Sequence, residues 1–329
     1  MRAYLLRRLL ATVPTLIGIS IVSFLILNLI PADPILTWSV GGTPPSAEAL
    51  QRLRAELGAE RGPVARYAAW SLGLLRGDLG RSLRDGRPVA TVIAEALPWS
   101  ILLNLGALLL IYGLAVPYGM LGSAVPGSAV DRCGGWLLLA LYALPSFAAA
   151  LLLQQVFAVH LGVLPLHGAA TLVAGDDAID RGIDLLRHLI LPTVCLALSG
   201  WAFVARYSRA AFHSVLGREF LAVARAKGLS PLRAAWHVTS NAAIPLATLL
   251  GAVIPGLVGG SVIVEQVFSW PGIGRLYVGA VEARDYPVVL GLTLLSAVAV
   301  LAGQLLVDVL YLLVDPRVRQ SLTGRPADA

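Results

Sequence analysis

Residues 98–122 and 287–307 contain no charged side chain. Wound as helix at about 1.5 Å per residue, each run is long enough to cross a hydrocarbon core of roughly 30 Å. Lipid offers no partners to backbone N–H and C=O groups, so a helix, which satisfies them internally, is the form these runs must take. The rest of the sequence agrees: 57% of residues are hydrophobic and 13% charged, with a mean hydropathy of +0.78. That balance excludes a soluble enzyme and points to an integral membrane protein.

The hydropathy pattern predicts six spans, at about 9–30, 98–122, 135–159, 188–206, 242–266 and 287–314. The first follows Met1, Arg2, Arg7 and Arg8 but lacks a small-x-small cleavage pattern and ends in Pro31-Ala-Asp33, so it is expected to remain as an uncleaved span. An even number of spans puts both termini on one side. Arg2, Arg7 and Arg8, Arg317, Arg319 and Arg325, and Arg206, Arg209, Arg218, Arg225, Lys227 and Arg233 all fall there, which the positive-inside rule assigns to the cytoplasm. On the other side, 160–187 sets Asp176, Asp177, Asp180 and Asp184 against Arg181 and Arg187. Segment 31–97 carries eight arginines, but it exceeds the length over which the rule operates. The net charge of +6 is therefore a topology signal rather than a nucleic-acid-binding surface.

Within 31–97, Pro31, Pro34, Pro44 and Pro45 predict an extended lead-in. A short helix follows, capped by Ser46, with Leu50, Leu53 and Leu57 on one face and Gly58 at its end. A second amphipathic helix is expected from Pro63 to Leu75. Its Tyr67 and Trp70 suit a membrane–water interface, either as a cap on the outer leaflet or as a binding surface.

A polar island, residues 217–241, interrupts the apolar pattern between the fourth and fifth spans. Glu219 opposes the positive end of a helix dipole, while Arg225 and Lys227 oppose its negative end. Gly228 stands where a left-handed C-cap belongs; Ser230 and Pro231 suit the cap and first turn of the next helix. Two short helices meeting at a sharp corner are predicted. The small side chains of Ala222, Ala224 and Ala226, alternating with Val223, Arg225 and Lys227, let another backbone approach closely.

The stretch Ala222-Val-Ala-Arg-Ala-Lys-Gly228 resembles the EAA loop of inner-membrane permease subunits of binding-protein-dependent ABC importers. It is most similar to the version in the dipeptide, oligopeptide and nickel permease family. Further pieces match that family in order: Arg7-Arg8-Leu-Leu with Pro14, Arg76-Gly-Asp-Leu-Gly80-Arg-Ser82, His188-Leu-Ile-Leu-Pro192, Phe268-Ser-Trp-Pro-Gly-Ile-Gly274, Arg284-Asp-Tyr-Pro287 and Leu313-Val-Asp-Pro-Arg317. The sequence departs from the pattern at Ala222, which replaces the name-giving glutamate, at Ser240, and in the arginine-poor loop 123–132.

The resemblance implies an all-α integral membrane protein with six transmembrane helices, the type I ABC importer permease fold, and an extracytoplasmic segment between helices one and two. The implied domains are residues 1–97 (first helix plus extracytoplasmic segment), 98–320 (five-helix permease domain carrying the coupling loop at about 217–241) and 321–329 (cytoplasmic tail). It implies that Glu219, Phe220, Ala222, Val223, Ala224, Arg225, Ala226, Lys227, Gly228, Leu229 and Ser230 couple to an ATPase. Its implied partners are a second homologous permease, two cytoplasmic ATPase subunits, an extracytoplasmic substrate-binding protein and membrane lipid, in a bacterial cytoplasmic membrane. The substrate would be di- or oligopeptides, with nickel or a metal chelate as the alternative.

The residues themselves exclude an ATP site of the P-loop kind, because the only lysine, Lys227, is followed by Gly228 and lies outside any Gly-x-x-x-x-Gly-Lys pattern. ATP and Mg²⁺ are thus expected on partner subunits, with no cofactor in this chain. Gly-x-Ser-x-Gly, His-Glu-x-x-His and Cys-x-x-Cys patterns are absent, leaving a membrane-embedded enzyme without a nucleophile or metal dyad. His160 and His167 lack a ligand cluster, and Cys133 and Cys195 fall at different depths. Polar residues at membrane depth are Asn28, Asn104, Gln154, Gln155, Glu265, Gln304 and Asp308, which either line a pathway or hold helices together. Glu265, near the outer end of span five, is expected to reach headgroup water. Gly251, Gly256, Gly259 and Gly260 in span five suit close helix crossings, with Gly256 and Gly260 in small-xxx-small spacing.

Overall fold

The computed structural model describes residues 2–29, 62–171, 177–216 and 262–314, with single residues and short pieces between 228 and 249. Its long helices are α1 (Arg2–Leu29), α3 (Val89–Ala124), α6 (Ala178–Leu216) and α9 (Tyr286–Val314). Shorter ones are α2 (Pro63–Leu75), α4 (Ala129–Ala143), α5 (Ser146–Leu153), which runs into a π-helical segment (Gln154–His160), α7 (Val262–Val267) and α8 (Ile273–Glu282). Three segments, Arg8–Leu27, Val89–Ala124 and Tyr286–Leu306, are long and apolar enough to cross a membrane, and two bent pairs raise this to five if each is one span. These five correspond in position to five of the six expected spans. Most of the other, at about 242–266, lies outside the described residues, as do the expected helix at 46–58 and the tail beyond 314.

The third span differs most from expectation. It is broken at Leu144 and Pro145 into α4 and α5, which meet at 102°. Pro145 cannot donate to α4 and stands just before α5, where its fixed φ is favourable. The second span starts nine residues earlier than hydropathy placed it, because Val89, Ile93 and Ala96 are buried against Ile273, Ala280, Val288, Val289 and Leu292. The fourth extends over the whole of α6, which bends by 51° near Gly200.

Among the described residues, α3 and α6 form the most extensive helix pair. Small residues allow it. At Gly119 a Cβ would lie 2.8 Å from the backbone N of Arg209, and at Gly200 one would lie 2.5 Å from Cδ1 of Ile111. Ile111, Ala115, Leu138, Ala197, Ala202, Val204 and Ala205 fill this seam with α4. Ala149, Ala150, Leu191, Cys195, Val264 and Phe268 form a second cluster joining α5, α6 and α7. The opposite faces stay apolar and open, as for Leu9, Leu10, Val22 and Ile26 on α1, which is the surface lipid would cover.

Helix α2 spans Pro63–Leu75, as expected, and its aromatic rings are half-buried against the first span. Tyr67 and Trp70 pack on Phe24 of α1 with ring centroids 5.4 and 5.7 Å away, and the Tyr67 and Ser20 hydroxyls are 2.8 Å apart. The face of α2 that carries these rings docks on the first span.

Candidate coupling site and the polar knots of the bundle

The polar island rises from a packed base. Ala211, Phe212 and Val215 at the end of α6 are buried together with Val238 near the island's far end and with Ala242 and Leu246 just beyond it. The Tyr112 hydroxyl of α3 donates to the Leu246 carbonyl at 3.2 Å, and the Thr239 hydroxyl lies 3.8 Å from Met120 Sδ. Both feet of the island are therefore held by one apolar cluster on α3. Of the expected coupling residues, Glu219, Phe220, Ala222, Val223, Ala224, Arg225, Ala226, Lys227 and Leu229 lie outside the described residues. Gly228 is exposed in a turn at φ +71°, the left-handed region that glycine occupies without steric cost. Ser230 is exposed and Arg233 is helical.

Beside this base, Arg209 on α6 grips Asp131 in the first turn of α4 with two bonds, Nε to Oδ1 at 2.6 Å and Nη2 to Oδ2 at 2.8 Å. A paired fork of this kind fixes orientation as well as distance. Asp131 also accepts the Gly127 N–H at 2.9 Å, and Ser123 donates to the Arg209 carbonyl at 2.8 Å. Segment 123–132 and the last two turns of α6 are thus tied together by hydrogen bonds. The sequence places Arg209 on the arginine-rich side of the membrane but carries no signal that it meets Asp131.

At the far end of the bundle, Glu265 is fully buried. Its Oε1 accepts from the Ser100 hydroxyl at 2.8 Å; its Oε2 accepts the N–H groups of Gly274 at 2.7 Å and Arg275 at 3.2 Å. Ser100 in turn accepts the Ile273 N–H at 2.7 Å. The carboxylate caps the first turn of α8, where unpaired N–H groups and the helix dipole favour an anion. This corrects the expectation that Glu265 reaches headgroup water. Gly272 makes it possible: a Cβ there would lie 2.5 Å from the Ser100 hydroxyl and would also collide with the Glu265 carboxylate. Gly274 has no more room, since its Cβ would meet Val262 Cα at 2.7 Å. Trp270 completes the knot, its indole N–H donating to the Trp99 carbonyl at 2.9 Å.

A second buried carboxylate, Asp285, precedes α9. It accepts from the Ser82 hydroxyl at 2.5 Å and from the Leu83 N–H at 3.0 Å. This residue was not among the expected site residues, although both sequence pieces that it joins had been singled out as motifs. In the same loop, the backbone N–H of Arg87 holds the Asp85 carboxyl below its usual range, and Arg87 pairs with Glu95.

The remaining polar residues are structural in their contacts. Gln154 is buried and donates to the carbonyls of Leu166 at 3.0 Å and Val267 at 3.3 Å. Gln155 is exposed and hydrogen-bonded to His160. Asn104 is half-buried and donates to the Ser100 carbonyl one turn back at 2.8 Å. Asp308 on α9 pairs with Arg8 on α1 at 2.6 Å. Gly256 and Gly260 lie outside the described residues. Among the described residues no three metal-ligating side chains gather, and Cys133 and Cys195 are both free thiols.

The sequence profile of the family "binding-protein-dependent transport system inner membrane component" matches residues 115–320, and the profile of that membrane component's N-terminal part matches residues 1–104. The chain belongs to this family. It is similar over 97% of its length, and 99% of theirs, to the oligopeptide transport system permease protein AppB of Bacillus subtilis (37% identical over 320 residues) and to the dipeptide transport system permease protein DppB of Escherichia coli K12 (33% over 337 residues). It is also 34% identical over 322 residues to the glutathione transport system permease protein GsiC of another Escherichia coli strain, covering 96% of this chain and 98% of that one. A family member of this kind is a multi-pass inner-membrane transport component, not itself an enzyme.

Proposed function

We infer that this chain is the permease subunit of an ATP-driven importer that moves di- or oligopeptides across the cytoplasmic membrane by alternating access. The observation that carries the inference is near-full-length similarity to peptide permeases. A second homologous permease would complete the pathway, two ATPase subunits binding ATP and Mg²⁺ would supply the work, and an extracytoplasmic binding protein would deliver the peptide. The termini and the island would face the cytoplasm, and the 31–97 segment the outside.

In this mechanism the island at 217–241 receives force. The packed base supports that role, because both feet of the island rest on one cluster and the neighbouring loop is pinned to α6 by Arg209 and Asp131. A push on the Gly228 corner would therefore reach α3, α4 and α6 together. Proteoliposomes holding the assembled transporter test the function: ATP and binding protein should drive uptake of labelled dipeptide but not of nickel ion. Uptake of nickel in place of dipeptide would overturn the peptide assignment.

A further inference from the structure

The end of the bundle opposite the island contains a cleft of about 550 Å³. One wall is the face of α3 formed by Val92, Glu95, Ala96 and Trp99; the other is the face of α8 formed by Arg275, Gly279 and Glu282. Both sets recur at helical spacing, so the walls are two helix faces. Arg84 is also at the cleft, its Nη1 3.9 Å from where a Cβ on Gly279 would stand.

The charges are only partly used within the chain. Glu95 is paired with Arg87, and Arg275 spends one N–H on the Ser269 carbonyl at 2.7 Å. Among the described residues, Arg84, Arg275 and Glu282 have no ion-pair partner. Two guanidinium groups thus stand at one end and the middle of the α8 face, with a carboxylate at the other end. Arg275 and Glu282 are seven residues apart, about 10 Å along the helix. An extended chain advances at most 3.3–3.6 Å per residue, so a peptide of about three residues spans that distance. Volumes of roughly 300–1,000 Å³ are usual for small-molecule sites.

We propose that this cleft is a docking subsite for the termini of a short zwitterionic peptide, its carboxylate on Arg84 and Arg275, its ammonium toward Glu282, and a side chain against Trp99. The assignment rests on the importer function proposed above and adds a place where the permease itself handles the cargo. It also makes the permease, besides its binding protein, a determinant of which peptides pass.

The test compares uptake of trialanine and trialanine amide by the assembled transporter, each presented on saturating preloaded binding protein so that delivery is equal. Wild-type transporter should favour the free acid, and Arg84→Gln/Arg275→Gln should lower that acid-to-amide ratio at least fivefold. Glu282→Gln should instead narrow the difference between trialanine and its N-acetyl form. Uptake of both peptides with an unchanged ratio in the variants overturns the subsite alone. An equal loss for acid and amide also overturns it, marking the cleft as a contact for the binding protein. No peptide uptake by the wild type overturns the importer function and the subsite with it.

Discussion

Ser82 donates its hydroxyl to Asp285 at 2.5 Å across 203 residues of sequence. The bond ties the loop before α3 to the turn before α9, and the Leu83 N–H strengthens it. Asp285→Ala would leave these buried donors without an acceptor, at a cost of roughly 1–3 kcal/mol for each group stranded. The midpoint of thermal unfolding in detergent should fall, and proteolysis should open the 76–88 loop first. An unchanged midpoint would show that the bond contributes nothing to stability.

Gly274 and Gly279 lie on the same short helix and should respond in opposite directions. Gly274→Ala drives a methyl into the Val262 backbone and should cost about 1–3 kcal/mol by overpacking. Gly279→Ala meets only the end of Arg84 at 3.9 Å and should be neutral or stabilise by about 0.5–1 kcal/mol, since alanine is the better helix former. Thermal unfolding of the two variants side by side checks the geometry of the Glu265 cap. Equal behaviour would contradict it.

Arg8 and Asp308 are unequally buried, at 44% and 12% side-chain exposure. Arg8→Ala strands a largely buried carboxylate, whereas Asp308→Ala leaves an arginine that can extend toward water. The arginine variant should therefore be the less stable, by about 2 kcal/mol, and the double variant should recover part of the loss. Detergent unfolding of all three variants measures the coupling between α1 and α9; equal losses in the two single variants would contradict this account.

The Arg209–Asp131 pair should tolerate exchange better than loss. Peptide uptake should fall in Arg209→Asp and in Asp131→Arg, and recover in part when both changes are combined, because the pair's geometry links the 123–132 loop to α6. Uptake in the double variant no better than in either single variant would rule out the ion pair as the link.

Local chemistry was legible in the sequence wherever a few adjacent residues decide it. Pro63 opens α2 and Leu75 ends it, and Gly228 adopts the left-handed backbone conformation that its place after Lys227 implied. Hydropathy also located the apolar helices, because lipid selects for composition. It could not locate the 102° break at Leu144 and Pro145, since the two arms together read as one apolar span and hydropathy carries no angle. Nor could it tell that Glu265 faces inward, because a carboxylate near a span end reads alike whether it meets water or three N–H and O–H donors. Ser82 and Asp285 were visible as parts of separate motifs. Their meeting depends on the packing of Val89 and Ile93 against Val288 and Leu292, a long-range fact that local pattern does not carry.

The most direct test of force transmission through the island is the peptide-stimulated ATPase rate of the assembled transporter carrying Gly228→Val or Gly228→Asn. A Cβ added at Gly228 meets nothing within 4 Å, so it is the backbone strain at φ +71° that separates the variants. Asparagine tolerates that conformation and valine does not. The account predicts stimulated hydrolysis near the wild-type rate for Gly228→Asn and at the unstimulated rate for Gly228→Val, with equal amounts of subunit inserted in the membrane. Full stimulation of the Gly228→Val transporter would contradict it.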